Sequence, residues 1–170
     1  MSERLDPAAL LRRLGEAKVD YIVIGGLAVI AHGVQRFTKD VDICPAPRRA
    51  SLERLARLLA EIEATHLGVG DLAAEEFPFD PRNPGELAEG GNFRLDTRFG
   101  ILDLMQWVPG IGAEHAYPVL DSEATSVSVF GTEIRVCSLE HLRAMKRAAD
   151  RPQDRIDLEQ LAKAHGDDHD

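Results

Sequence analysis

The sequence predicts an α/β fold, in which short strands build a sheet and a pair of helices closes the C-terminal end. Three observations carry this expectation. First, Tyr21-Ile22-Val23-Ile24 is a continuous β-rich run that passes through Gly25-Gly26 directly into an apolar segment, 27–32, suited to a buried helix. Second, segments 92–98 and 101–108 face each other across Phe99-Gly100. Segments 125–130 and 133–137 do the same across Gly131, so two hairpins are expected. Third, two helical segments, from Ser138 to about Ala149 and over 153–165, are separated by the breaker Arg151-Pro152.

The remaining elements follow in order. Asp6-Pro7 is an N-cap followed by proline at the first helical position, opening a short helix to about Lys18. The segment 40–44 is a second strand, stopped by the prolines at 45 and 47. Over 51–64, Leu52, Leu55, Leu58, Leu59 and Ile62 fall on one helical face, with charged residues elsewhere. The stretch 66–91 holds Phe77-Pro78, Asp80-Pro81, Asn83-Pro84-Gly85 and Gly90-Gly91, all turn signals. It is expected to be a long surface excursion that begins with an edge strand.

The chain has 170 residues, 44% hydrophobic and 29% charged, enough for a core and ordinary for a globular protein. One domain is expected over 1–165, with a disordered acidic tail at 166–170. No apolar run approaches the roughly 18 residues of a membrane span. Residues 1–14 have no cleavable apolar core. Cys44 and Cys137 sit in no zinc spacing and cannot build a disulfide framework. The expectation is a cytoplasmic protein with two reduced, buried thiols and no membrane partner. The net charge is −9, and residues 67–170 hold the whole acidic excess. A nucleic-acid partner is therefore not favoured by charge.

Chemistry concentrates in three places. Gly25-Gly26 lies at a strand–helix junction, where glycine lets a phosphate approach exposed backbone N–H groups. Asp40 and Asp42 open the next strand. Side chains at i and i+2 share a face, so these carboxylates stand roughly 6–7 Å apart and point the same way. Unpartnered, each raises the pKa of the other, and a divalent cation relieves the cost. Asp103 lies within Ile101-Leu102-Asp103-Leu104-Met105, an otherwise apolar strand, and needs a partner if buried. That partner is either a cation, shared with Asp40 and Asp42 if the strands are neighbours, or an ion pair with Arg94 or Arg98. Arg36 and Thr38 precede the Asp pair and can complete a phosphate shell.

The segment Ile24-Gly25-Gly26-Leu27-Ala28, followed by Arg36-x-Thr38-x-Asp40-Val41-Asp42-Ile43, resembles the signature of the polymerase-β-type nucleotidyltransferase superfamily. The Arg-x-Thr-x-Asp-x-Asp form is similar to small bacterial members, among them AbiE-type toxins and lincosamide-type antibiotic-modifying enzymes. The resemblance is strong over 20–44 and moderate over 92–108. It extends loosely to the stretch 142–147 with Arg151-Pro152-Gln153-Asp154. It implies a small mixed β-sheet flanked by helices, the nucleotidyltransferase fold, with two magnesium ions (or manganese) and an NTP such as ATP as donor. By the same resemblance Asp40, Asp42 and Asp103 are the catalytic and metal-binding residues, and Lys146 is a triphosphate contact. Gly26 replaces the Ser of many members, so main-chain donors must serve in place of a hydroxyl.

The implied activity is transfer of a nucleoside monophosphate to an acceptor hydroxyl. The acceptor is RNA or a protein side chain in a toxin-like enzyme with a cognate antitoxin. The alternatives are an antibiotic-type small molecule, or a non-catalytic member serving as a binding module or antitoxin. Arg143, Arg147 and Arg151 share a spacing of four and form either a solvated basic face or a track for acceptor phosphates. Asp96 ranks below Asp103 because Thr97 and Arg98 flank it. Trp107 and Phe99 are expected in the core, and His165 and His169, at the acidic end of the chain, are read as a chain end and not as a metal site.

Overall fold

The computed structural model describes residues 5–68, 71–76, 78–112 and 114–167. Its centre is one seven-stranded mixed sheet in the order β3-β4-β5-β2-β1-β7-β6. The strands are β1 (Tyr21–Ile24), β2 (Asp40–Pro45), β3 (Thr65–His66), β4 (Asn92–Thr97), β5 (Gly100–Met105), β6 (Thr125–Val129) and β7 (Thr132–Val136). Both expected hairpins form, as the antiparallel pairs β4–β5 and β6–β7. The sheet is mixed because β2–β5 and β1–β7 are parallel while β1–β2 is antiparallel.

Seven helices accompany the sheet among the described residues: α1 (Pro7–Glu16), α2 (Gly25–Ala31), α3 (Arg49–Glu61), α4 (Pro84–Ala88), α5 (Ala116–Glu123), α6 (Leu139–Ala149) and α7 (Pro152–His165). The Asp6 carboxylate accepts from the Ala9 amide to cap α1, and the Ser138 hydroxyl accepts from His141 to cap α6. The leucine stripe of α3 is buried as its spacing requires, with Leu52, Leu55, Leu58 and Leu59 all within the core. Burial of such side chains against the sheet contributes about 1.5–3 kcal/mol each. Helices α6 and α7 pack on each other, and α2 lies against β2 and α6. Both thiols are free and buried, and burial pushes each up to about 12. No helix among the described residues is long and apolar enough to cross a membrane.

Several expectations are corrected. Gly25 and Gly26 do not merely end β1; they are the first two residues of α2. The excursion 66–91 begins with the expected edge strand and is anchored beyond it. Its edge strand β3 pairs with β4, Phe79 stacks on Phe93 with ring centroids 3.8 Å apart, and it contains α4. Asn83-Pro84, a turn signal in the sequence, is a helix start. The Asn83 side chain caps by accepting from Gly85, and proline takes the first helical position, the same grammar as Asp6-Pro7. Phe77 lies outside the described residues. Helix α5 was not foreseen; its cap is the His115 imidazole, which accepts from the Tyr117 amide. Desolvation lowers the His115 pKa, consistent with a neutral accepting ring. Trp107 is not in the core but 54% exposed. His165 ends α7, the bound expected for the last helix, with its ring against the His32 carbonyl. His169 and the end of the expected tail, residues 168–170, lie outside the described residues.

Candidate active site

The site is built from two adjacent parallel strands. In β2, Val41 and Ile43 are buried while Asp40 and Asp42 point to the other face. In β5, Leu102 and Leu104 are buried and Asp103 takes the opposite face. The register pairs Asp42 with Asp103, so both carboxylates stand side by side on one face of the sheet, with Asp40 two residues away. Alternation along each strand and the parallel register are together sufficient to bring the three groups to one place.

Their electrostatics reflect the crowding. Burial, then a hydrogen bond to Asp103 and the charges of Asp103 and Asp40, push Asp42 up to about 8. Asp103 is raised as well, first by desolvation, although its hydrogen bond with Asp42 and the Arg94 guanidinium pull the other way. Asp42 is thus the protonated member that donates to Asp103. The folded chain keeps this proton between about pH 4 and pH 8, where the unfolded chain has released it. Stability from this group is therefore fully present below pH 4 and is lost as the pH rises through 8. In chelator, the melting temperature of Asp42→Asn relative to the unaltered protein should climb steadily from pH 5 to pH 8. Parallel curves would contradict the shared proton.

The ion pair weighed for Asp103 exists. Arg94, its cross-strand neighbour on β4, donates from Nη1 to Asp103 Oδ2 at 3.1 Å and from Nη2 to Asp40 Oδ2 at 3.1 Å. The guanidinium bridges two of the three carboxylates. No group of three His, Cys, Asp or Glu side chains among the described residues stands arranged to hold a metal ion. The donor set nevertheless suits a hard divalent cation, because three carboxylates come together on one face of two neighbouring strands.

Gly25 and Gly26 lie directly against this group. Gly25 has φ +68°, and a Cβ there would sit 2.0 Å from Asp42 Oδ2. A Cβ on Gly26 would fall 2.4 Å from Arg36 Nη1 and 2.9 Å from Thr38 Oγ1. No side chain caps the first turn of α2. Arg36 Nη1 is buried and has no hydrogen-bond partner among the described residues, although Arg36 Nε pairs with Asp157 at 3.4 Å. The Thr38 hydroxyl donates to the Asp40 carbonyl at 3.0 Å and so shapes the loop.

Lys146 is buried. Its Nζ pairs with Asp154 Oδ1 at 3.0 Å and with Asp157 Oδ2 at 2.8 Å. Burial alone would raise Asp154, but hydrogen bonds from Arg151 and Lys146 hold it at about 2. This buried network, Lys146 with Asp154 and Asp157 joined by Arg36 and Arg151, was not recognised in the sequence. Its signal was the i,i+3 pair of aspartates on α7, one helical turn apart. The basic track is also revised. Arg143 is buried, donating to the Gly166 carbonyl at 2.6 Å, and Arg151 is tied to Asp154. Asp96 is exposed and pairs in register with Ile101, two residues along β5 from Asp103.

The carboxylates separate two clefts. One, of about 440 Å³, is lined by Gly26, Arg36, Thr38, Lys39, Lys146 and Arg151 and is rich in cations. The other runs past Asp103 and Arg94 to an apolar wall of Met105, Val108, Leu142 and Met145. Asp40 and Asp42 line both. A larger cleft of about 600 Å³ between α1 and α3 holds the ion pair Arg13–Glu61 and no converging carboxylates.

No protein-family model matches the chain, and no curated protein matches it. Solved structures do. The chain resembles the lincosamide antibiotic adenylyltransferase LnuA, in its lincomycin-bound crystal structure, with a TM-score of 0.60 and 16% identity over 92% of this chain and 94% of that one. It resembles the antibiotic-resistance factor ANT(2'')-Ia, in its solution structure, with a TM-score of 0.54 and 16% identity over 92% of this chain and 83% of that one. The fold is the nucleotidyltransferase fold, and at this identity the likeness concerns the fold.

Proposed function

We propose that the protein is a nucleotidyltransferase that moves a nucleoside monophosphate from an NTP to a hydroxyl of a small-molecule acceptor. The observation that carries this reading is the in-register pairing of Asp42 with Asp103, beside Asp40 and against Gly25-Gly26. Asp40, Asp42 and Asp103 are the residues that would hold divalent cations, magnesium or manganese. Bound there, such ions supply charge neutralisation for the triphosphate and Lewis acidity toward the attacking oxygen.

The chain's own residues divide the remaining work. Arg36, with its unpartnered buried Nη1, and the open amide of Gly26 receive phosphate oxygens in the cationic cleft, and Gly25 lies beside them at the neighbouring cleft. Thr38 holds the loop that carries Asp40. Lys146 adds positive potential to that cleft from its place between Asp154 and Asp157. Asp103, whose affinity for a proton is raised, takes the proton of the acceptor hydroxyl as that oxygen attacks the α-phosphorus and pyrophosphate leaves.

The cleft beside Asp103 sets the acceptor. Its wall is apolar over Met105, Val108, Leu142 and Met145 and charged where Asp40, Asp42, Asp103, Arg94, Lys146 and Arg151 meet it, which suits a compact molecule with an apolar body and polar groups that include a hydroxyl. The likeness to two antibiotic-modifying folds supports the same choice. An RNA acceptor has no observation in its favour, because the candidate basic track is largely consumed by internal partners and the net charge is −9. Incubation with α-labelled ATP, GTP, CTP or UTP, magnesium and a panel of hydroxylated small molecules should put label on a small-molecule product. Label appearing only on RNA or protein would overturn the choice of acceptor, and no transfer to any fraction of a cell extract would overturn the activity.

A further inference from the structure

Resting on the metal reading above, we infer that Arg94 is a built-in counter-cation that occupies the carboxylates in the metal-free protein and must leave them for a divalent ion to bind. Three features of the structure lead to this. Arg94 spans two carboxylates on two different strands, Asp103 through Nη1 and Asp40 through Nη2, and so ties down an oxygen of each. Its side chain is 49% exposed, whereas that of Asp103 is 14% exposed, so the guanidinium reaches in from solvent and can return to it. Its position is fixed by the sheet, because Arg94 is the register partner of Asp103, which is itself the register partner of Asp42.

In the metal-free state one guanidinium serves Asp40 and Asp103. A divalent ion bound by the three carboxylates takes its place. Arg94 therefore acts as a positioning residue. It keeps the carboxylates converged without a metal and opposes loading by the metal alone.

The test is a titration of Mn²⁺ into the full-length protein without nucleotide, with free ion read by electron paramagnetic resonance. Arg94→Gln removes the competing charge and should bind Mn²⁺ about tenfold more tightly than the unaltered protein. Arg94→Lys keeps a charge but lacks the fork that spans two carboxylates, and should fall between the two. Asp42→Asn should bind least. An affinity for Arg94→Gln equal to or weaker than that of the unaltered protein, including no binding at all, overturns the inference. If circular dichroism shows Arg94→Gln unfolded, Arg94→Lys decides alone, and must bind more tightly than the unaltered protein. Unchanged Mn²⁺ binding in Asp42→Asn would instead remove the metal reading itself, so the two failures are distinguishable.

Discussion

Asp103→Asn should lower the rate of nucleotide transfer roughly 10²–10⁴-fold while leaving the affinity for NTP nearly unchanged. The amide cannot take a proton from the acceptor hydroxyl, and it loses the charge that makes Asp103 a ligand. Both losses are felt mainly in the transition state, because Asp103 lines the apolar cleft and not the cationic one where the triphosphate is placed. The control is Asp96→Asn, on the same face of the sheet but two residues along, and exposed. Its rate should be that of the unaltered protein. Steady-state kinetics on both variants, with NTP affinity from calorimetry, check the assignment. A fully active Asp103→Asn would remove Asp103 from the chemistry.

Lys146→Met should destabilise the protein by about 3–5 kcal/mol, because it leaves Asp154 and Asp157 buried without their shared cation. For a chain of this length such a loss lowers the melting temperature by roughly 10 °C. The comparison is Lys163→Met on the same helix pair. Lys163 lies 3.9 Å from Glu159 with both side chains well exposed, so its removal should cost less than about 0.5 kcal/mol. Urea denaturation of the two variants measures the contrast. Equal, small effects would mean that the buried network is neutral to folding.

The parts legible in the sequence are those where local pattern and side-chain alternation decide. Asp40 and Asp42 had to share a face because they are two residues apart on a strand. Leu102 and Leu104 bracket Asp103, so it had to face away from the core. What remained hidden depends on contacts across the chain. Whether Asp103 meets Arg94 or Arg98 is a question of register: Arg94 stands opposite Asp103, and Arg98 lies past the turn end of β4. The burial of Lys146 follows from α7 folding back on α6 to present Asp154 and Asp157, and nothing in the sequence of α6 announces it. The basic track failed for the same reason, since the spacing of four that aligns Arg143 with Arg147 is silent on which face meets the core. Helix α5 was missed because Pro118 stands in its first turn and its cap is a histidine, a residue type not read as an N-cap.

The central claim is that Asp40, Asp42 and Asp103 hold a divalent ion against a triphosphate lying on Gly25-Gly26. Crystals grown with Mn²⁺ and a non-hydrolysable ATP analogue test it directly through anomalous scattering. The account predicts manganese peaks among these three carboxylates, phosphate oxygens against Gly25, Gly26 and Arg36, and an Arg94 guanidinium no longer bridging Asp40 and Asp103. Manganese bound elsewhere, with the Arg94 bridge intact and the nucleotide outside the cationic cleft, would contradict it.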